Sequence, residues 1–214
     1  IKFECVRVGC EEDDVGEQRR DLEAGLQALV ASGAAPVGPD GKLLGNCACL
    51  IKPGKLLISR SGRSPTDAIN YSRDFPVCVA FDKDRWQVEF RAESDASRPS
   101  SDTPLHWFSL VEAPRAFGWP RGATFVLHGH TFATSEEAAL LGVPISEEET
   151  LFSTKEDVQA LSDLLRLHPY PQHKAFIRKG HGFLILSETM QEAIDTLNGL
   201  LERKALKGAR GAEG

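Results

Sequence analysis

The chain contains 214 residues, of which 41% are hydrophobic and 26% are charged, and its net charge is −6. This length and composition predict one soluble globular domain with a substantial core, and no apolar run approaches the ~20 residues of a transmembrane helix. The negative charge argues against nucleic acid and anionic membranes as partners. Five cysteines without zinc-finger spacing indicate reduced thiols, and we therefore expect a cytoplasmic protein.

Strands and helices are predicted along the whole chain. Apolar runs and alternating patterns predict strands at 2–8, 46–51, 55–59, 76–81, 86–90, 124–130, 175–178 and 183–186. Apolar residues at helical spacing predict helices at 17–31, 105–112, 136–141, 158–165 and 188–204. Turns at Pro53-Gly54 and at 82–84 are too short for a parallel crossover, so we expect a mixed or antiparallel sheet in one α/β domain.

Two helix starts carry the capping-box pattern, in which Ser or Thr at the cap is followed three residues later by Glu. Thr134 with Glu137 marks the start of the helix at 136–141, and Ser153 with Glu156 marks the start of the next one. Such side chains bond the unpaired N–H groups of the first helical turn, so the pattern locates a helix end within a residue or so.

Two histidines stand at the end of the strand at 124–130. Side chains alternate along a strand, so His128 and His130 leave the same face, with their Cα atoms roughly 6.5 Å apart. Two imidazoles at that spacing can converge on one metal ion, although a pair that merely ends a strand remains the alternative.

A third histidine, His181, lies between two glycines at the turn between the last two strands. Glycine leaves the backbone unhindered there, so His181 is the natural third ligand for the pair. Three histidines with an open position are typical of a catalytic metal site. The other three are weaker candidates, because His106 lies on a predicted helix and His168 and His173 lie on a predicted surface loop.

Five short motifs, taken together and in order, resemble those of the class II aldolase/adducin family. The resemblance covers residues 21–205 and is specific because of the order of the motifs rather than any one of them. The motifs are Gly45-Asn46, Ser59-Arg60-Ser61-Gly62, Ser100-Ser101-Asp102-Thr103-Pro104-Leu105-His106, His128-Gly129-His130 and Lys179-Gly180-His181-Gly182.

The resemblance implies a three-layer α/β/α sandwich around a central, mainly antiparallel sheet. It also implies a homo-oligomer, commonly a tetramer. We therefore expect a single domain over 1–206, with 1–16 as an additional N-terminal strand and acidic turn, and a flexible tail at 207–214.

The family also implies a site for a divalent metal, most often zinc, held by three histidines. Here these correspond to His128, His130 and His181. Asp102 stands where the fuculose-phosphate aldolase branch has an acid/base Glu, and it is one methylene shorter. The family's contacts to a substrate phosphate correspond to Asn46, Ser61, Gly62, Ser100 and Ser101.

The function implied is a metal-dependent lyase. Such an enzyme cleaves a C–C bond through a metal-stabilised enediolate, in a small phosphorylated sugar or a related hydroxy-carbonyl compound. Family epimerases, dehydratases and decarboxylases share the metal site, so they remain alternatives. A non-catalytic, adducin-like interaction or scaffold domain is a further alternative, as is a structural metal closed by Asp102.

Overall fold

The computed structural model describes residues 3–211, with side chains for 3–208. Within this range the strands are β1 (Glu4–Gly9), β2 (Gly45–Lys52), β3 (Lys55–Ile58), β4 (Val77–Asp82), β5 (Gln87–Arg91), β6 (Phe125–Gly129), β7 (Ala175–Arg178) and β8 (Gly182–Ser187). The helices are α1 (Gly16–Ser32), α2 (Tyr71–Asp74), α3 (Thr103–Trp107), α4 (Ala113–Ala116), α5 (Ser135–Leu141), α6 (Lys155–Leu167) and α7 (Met190–Gly211), with a π-helical segment at Phe108–Glu112.

The strands of the described range form a single sheet in the order β1-β5-β4-β3-β2-β6-β8-β7. β1 runs parallel to β5, and the other neighbouring pairs are antiparallel. The short turn at Pro53-Gly54 joins β2 to β3 as an antiparallel pair, as predicted. In the centre of the sheet, β6 lies between β2 and β8, with Asn46 and Leu184 opposite His128.

Helices cover both faces of this sheet. One core cluster packs α1, α5 and α7 against one face, with Leu26, Ala138 and Leu197 among its buried residues. The second cluster packs α3, the π-helical segment and α6 against the other face, through residues such as Leu105 and Leu161. Period-two strands bury alternate side chains toward opposite helix layers, so the three-layer α/β/α sandwich with a mainly antiparallel sheet is confirmed.

Local signals located most helix ends correctly. Gly33 adopts the left-handed conformation (φ 69°) that ends α1. The Thr134–Glu137 capping box is present at α5. At α6 the prediction was one residue early, because Thr154 is the cap and accepts the N–H of Asp157 at 3.2 Å. The predicted cap, Ser153, instead donates its hydroxyl to the carbonyl of Ser101 at 2.5 Å.

Other boundaries differ from the predictions. The helix predicted at 105–112 begins at Thr103 and becomes π-helical at Phe108, before Pro114, which lacks the N–H that a regular α-helix would use. The short helix α2, capped by the Asn70 side chain, was not predicted. α7 continues to Gly211 rather than ending at 204, and the rest of the predicted tail, 212–214, lies outside the described residues. The domain boundary at 206 stays a prediction.

Among residues 3–211, no helix combines the length and apolar composition that a membrane span needs.

Candidate metal centre

The candidate centre lies where the end of β6 meets the start of β8. The chain is so crowded at this point that only glycine fits. A Cβ on Gly129 would lie 2.3 Å from the carbonyl oxygen of Ala34, which follows α1. A Cβ on Gly182 would lie 2.1 Å from the carbonyl oxygen of Gly129. The two glycines therefore allow the residues beside them, His128, His130 and His181, to come together.

Four side chains converge at this point. One potential ligand atom from each of Asp102, His128, His130 and His181 lies within 4.8 Å of the others. The ring centroids of the three histidines are 4.8–5.1 Å apart. β6 ends at Gly129, so His130 lies just past the strand, yet it still meets His128 as the predicted spacing requires. The structure thus brings together the three predicted histidines and the predicted carboxylate.

His128 is held in one orientation. It is fully buried, and its Nδ1 donates to the carbonyl of Phe183, the two atoms being 2.6 Å apart. A proton on Nδ1 leaves a lone pair on Nε2, which faces Asp102 Oδ2 at 3.5 Å. The backbone of β8 therefore sets this imidazole in the form that can bind a metal.

Asp102 is fixed by residues from two distant parts of the chain. The side-chain N–H of Asn46 donates to Asp102 Oδ2 at 2.6 Å. The side-chain oxygen of Asn46, Oδ1, accepts in turn from Nε2 of His106 at 2.5 Å. Asn46, Asp102 and His106 are all buried. His106, a weaker metal candidate on the predicted helix, thus supports Asp102 through Asn46. Its position four residues after Asp102 was a usable signal that both side chains meet the same neighbour.

The histidines have pKa values that differ according to their surroundings. Burial lowers the pKa of His106 and that of His130 to about 3, and it lowers the pKa of His128 as well. Burial alone would also lower the pKa of His181, but the nearby carboxylates of Asp102 and Asp157 outweigh it and raise that pKa to about 9. The imidazoles of His106, His128 and His130 are thus neutral at pH 7. The imidazole of His181 is protonated instead, because the two carboxylates stabilise its positive charge.

Asp102 is the carboxylate of this group, and its pKa is set by two opposing effects. Burial acts to raise the pKa of Asp102, but the electrostatic effect of the neighbouring His128 and His181 outweighs burial and holds that pKa well below the ordinary value. Asp102 is therefore a carboxylate, which accepts a proton rather than supplying one.

Two further buried residues lie behind His181, and the sequence analysis did not identify them. Asp157 Oδ2 is 3.5 Å from His181 Nδ1, and Arg178 Nη2 is 2.7 Å from Asp157 Oδ1. Asp157 lies in the first turn of a predicted helix, and Arg178 lies in a predicted strand that is otherwise apolar. The one available signal was therefore the charge of Arg178 within an apolar strand.

The donor set matches a divalent transition metal. Within residues 3–211, no hydrogen-bond partner is found for Asp102 Oδ1, His128 Nε2 or His181 Nε2, although all three atoms are buried. Buried polar atoms are normally paired, so three that face one point call for a ligand. Three imidazole nitrogens and one carboxylate oxygen suit zinc in particular.

The two serine loops predicted to bind a phosphate lie against each other. The N–H of Ser61 donates to the carbonyl of Arg98 at 2.8 Å, and that of Ser100 donates to the carbonyl of Ser59 at 3.1 Å. These two N–H groups are engaged inside the protein, so they are not free for a substrate. Ser61 and Gly62 are exposed, whereas Ser100 is buried.

The second loop is joined directly to Asp102, His128, His130 and His181, a group that we call the metal-binding cluster after the role proposed for it below. The N–H of Asp102 donates to the Ser100 hydroxyl at 3.3 Å, and half-buried Ser101 adjoins Asp102 in the chain. The predicted residue Asn46 lies on the cluster side of these loops, where its side chain already bonds Asp102 and His106. The exposed hydroxyl of Ser61, the N–H of Gly62 and the hydroxyl of Ser101 are thus the candidate donors for an anion.

Comparison with known proteins identifies the fold. No family model and no curated protein matches the sequence. A sugar-phosphate aldolase from Thermotoga maritima is similar in structure, with a TM-score of 0.66, 13% identity, and coverage of 93% of this chain and 98% of that one. For L-fuculose-1-phosphate aldolase from Thermus thermophilus the values are 0.59, 19%, 92% and 95%.

A class II aldolase domain from Thermoplasma acidophilum is similar to the same extent. Its TM-score is 0.61 and its identity 16%, with coverage of 90% of this chain and 94% of that one. These likenesses extend over most of each chain. The chain therefore has the class II aldolase-like fold that its sequence motifs resemble.

Proposed function

We propose that the chain is a metal-dependent lyase of the aldolase type, acting on a small phosphorylated sugar or a related hydroxy-carbonyl compound. The observation that carries this proposal is the convergence of Asp102, His128, His130 and His181, with ligand atoms within 4.8 Å of one another. The names of structural neighbours support the substrate class, since they include a sugar-phosphate aldolase and an L-fuculose-1-phosphate aldolase.

His128, His130 and His181 would hold the metal, with zinc as the first choice. Neutral imidazole nitrogens are the ligands that this ion prefers, so His181 would release its proton when the metal binds. When bound, a divalent metal supplies Lewis acidity that polarises a carbonyl oxygen of the substrate. His130 is the least buried of the three, so substrate would approach from its side.

Asp102 would act as the base. Cleavage of an aldol begins when the hydroxyl on the carbon that becomes the new carbonyl loses its proton, and an ionised carboxylate can accept that proton. Asn46 donates to one oxygen of Asp102, which leaves the other, Oδ1, turned toward His181. Asn46 would thus orient the base rather than contact the far end of the substrate.

The serine loops would anchor a phosphate away from the reacting carbons. Ser61, Gly62 and Ser101 present the donors described above. Buried Ser100 would hold the second loop in place, because its hydroxyl accepts the N–H of Asp102. Binding energy at a remote phosphate positions the reacting atoms, so this contact would affect turnover as well as affinity. A homo-oligomer and a cytoplasmic setting belong to the same proposal.

The first experiment is elemental analysis of the purified full chain, followed by a screen of sugar phosphates for carbonyl products. We expect near-stoichiometric zinc in the wild type, its loss in His128→Ala, and its retention in Asp102→Asn together with loss of turnover. His173→Ala is the matched control, because that histidine lies outside the cluster. Loss of zinc in Asp102→Asn as well would instead favour a closed structural site, and wild-type protein that neither holds nor takes up zinc would overturn the proposal.

A further inference from the structure

A buried group of charged and polar side chains lies behind His181, on the side away from Asp102. Asp157 and Arg178 are both fully buried and come from different elements, α6 and β7. Thr150 completes the group from the preceding loop. A buried charge is stable in a protein only when it is paired and hydrogen-bonded. The bonding partners of Asp157 and Arg178 therefore indicate the role of this group.

The two oxygens of Asp157 have different surroundings. Oδ1 accepts from Arg178 Nε at 3.0 Å, from Arg178 Nη2 at 2.7 Å and from the Thr150 hydroxyl at 3.0 Å. Oδ2, in contrast, finds no hydrogen-bond partner within the described residues. Arg178 and Thr150 therefore hold the carboxylate in place and leave one oxygen available.

That oxygen faces His181. Asp157 Oδ2 and His181 Nδ1 are 3.5 Å apart, and neither is otherwise bonded anywhere in residues 3–211. A shift of a few tenths of an ångström gives an N–H···O bond. On the opposite side of the ring, Nε2 lies 3.3 Å from Asp102 Oδ1, inside the metal-binding cluster. The ring thus lies between a carboxylate behind it and the cluster in front.

His128 shows the same arrangement with a different acceptor. Its Nδ1 donates to the carbonyl of Phe183, while its Nε2 faces the cluster. An acceptor behind the ring fixes both the orientation and the tautomer, and it makes the other nitrogen a better ligand. His181 sits on a turn, where β8 supplies no such carbonyl, so a side chain has to provide the acceptor.

We propose that Asp157, held by Arg178 and Thr150, is a positioning residue that directs Nε2 of His181 toward the metal-binding cluster and so strengthens metal binding. The inference rests on the metal-binding part of the proposed function. Asp157 does not touch the substrate, and acts through the orientation of His181.

The test compares zinc affinity in two double variants, measured by competition with a chromophoric chelator on the full chain. Asp157→Leu/Arg178→Met removes the acceptor, while Asp157→Asn/Arg178→Met keeps an amide oxygen at the same place. Both also remove the arginine charge, because an unpaired buried arginine could prevent folding. We expect the first to bind zinc about 10- to 100-fold more weakly than wild type and the second to retain most of the affinity.

Two single variants serve as controls. Asp163→Asn lies on the exposed face of the same helix and should leave the affinity unchanged. Leu197→Ala removes a buried side chain from the other core cluster, so it lowers the melting temperature without touching His181. Nitrogen-15 spectra of the zinc-loaded protein supply a second readout, in which the Nδ1–H signal of His181 should persist in the asparagine variant and be lost in the leucine variant.

The outcomes separate this inference from the proposed function. Wild type that binds zinc, with equal affinity in the leucine variant, would overturn the positioning role and leave the lyase proposal intact. Equal weakening in the leucine and asparagine variants would overturn it too, since the acceptor would then be irrelevant. Wild type that binds no zinc would overturn both.

Discussion

Two buried clusters of charged side chains can be compared in this protein. In one, which we call the arginine cluster, Arg60, Arg63 and Arg73 surround Asp74. In the other, the metal-binding cluster, three histidines meet Asp102. Both are built around a fully or almost fully buried carboxylate.

The two clusters differ in how completely their polar atoms are paired. Asp74 Oδ1 accepts from Arg60 at 2.5 Å and Arg73 at 2.7 Å, and Oδ2 accepts from Arg63 and from the N–H of Asn70. In the metal-binding cluster, buried nitrogens and an oxygen find no hydrogen-bond partner within residues 3–211. The carboxylate of Asp74, with both oxygens bonded, stabilises the fold, whereas the unpaired carboxylate oxygen and imidazole nitrogens of the other cluster converge on one point where a ligand would bind.

The largest expected effect on stability comes from Asp74→Asn. Arg60 and Arg63 would lose the charge that compensates them, and breaking a buried pair in this way destabilises by roughly 3–5 kcal/mol. Urea unfolding gives the loss, with Asp67→Asn as the comparison, since this partly exposed side chain bonds Arg60 but is not the buried centre of the cluster; for it we expect about 1 kcal/mol or less. Zinc per folded chain should be unchanged, and a variant that lost zinc but kept its stability would reverse the roles assigned to the two clusters.

The next effect concerns His130→Ala in the metal-binding cluster. Wild type should gain about 2.7 kcal/mol of stability when free zinc exceeds its dissociation constant 100-fold, because only the folded state binds. His130→Ala should lose this gain but keep nearly the metal-free stability, since His130 is only partly buried. Thermal unfolding with and without zinc measures both values. Equal zinc stabilisation in the variant would remove His130 from the ligand set.

A third prediction concerns acid pH. Burial alone would raise the pKa of Asp74, but its hydrogen bonds to Arg73, the Asn70 N–H and Arg60 hold it well below the ordinary value. Folding thus lowers this pKa, so the stability it contributes is fully present above an unfolded value of about 3.9 and is lost as the pH falls further. Between about pH 4 and about pH 2, wild type should lose up to about 1.4 kcal/mol per pH unit more than Asp74→Asn. Parallel urea-unfolding profiles for the two proteins would show that Asp74 does not titrate with folding.

The smallest effect is expected for Arg73→Ala. This side chain is 46% exposed, compared with 7% for Arg63, although both bond Asp74. Solvent weakens an exposed pair, so we expect a loss of less than about 1 kcal/mol in urea unfolding. Arg63→Ala is the comparison and should destabilise more. Similar losses for both variants would mean that the strength of an arginine's contact with Asp74 does not depend on how deeply the arginine is buried.

The metal-binding cluster could be predicted in part, because some of its geometry is local. His128 and His130 share a face through the two-residue period of a strand, and His181 stands between glycines that allow a close approach. The family resemblance assigned Asn46 to a substrate phosphate, but it did not predict that Asn46 bonds Asp102, which is 56 residues away in the chain. That contact depends on the register between β2 and β6, which no local pattern specifies.

The sequence does not indicate the low pKa of Asp102 or the contact between Asp157 and His181, for a related reason. Whether burial or neighbouring charge determines the pKa of a carboxyl depends on distances between elements remote in the chain. Asp157 meets His181 only because α6 packs beside β7 and the following turn.

By itself, the sequence determined what depends on neighbours within a few residues: the strand and helix periods, the caps at Gly33 and Thr134, and the His128-x-His130 pair. It also indicated the fold through the order of its motifs. The tertiary structure alone decided the strand order and the partner of each buried charge, because those depend on contacts made across the sheet and between layers. Such contacts decide which polar groups are left unpaired, and hence where a ligand would bind.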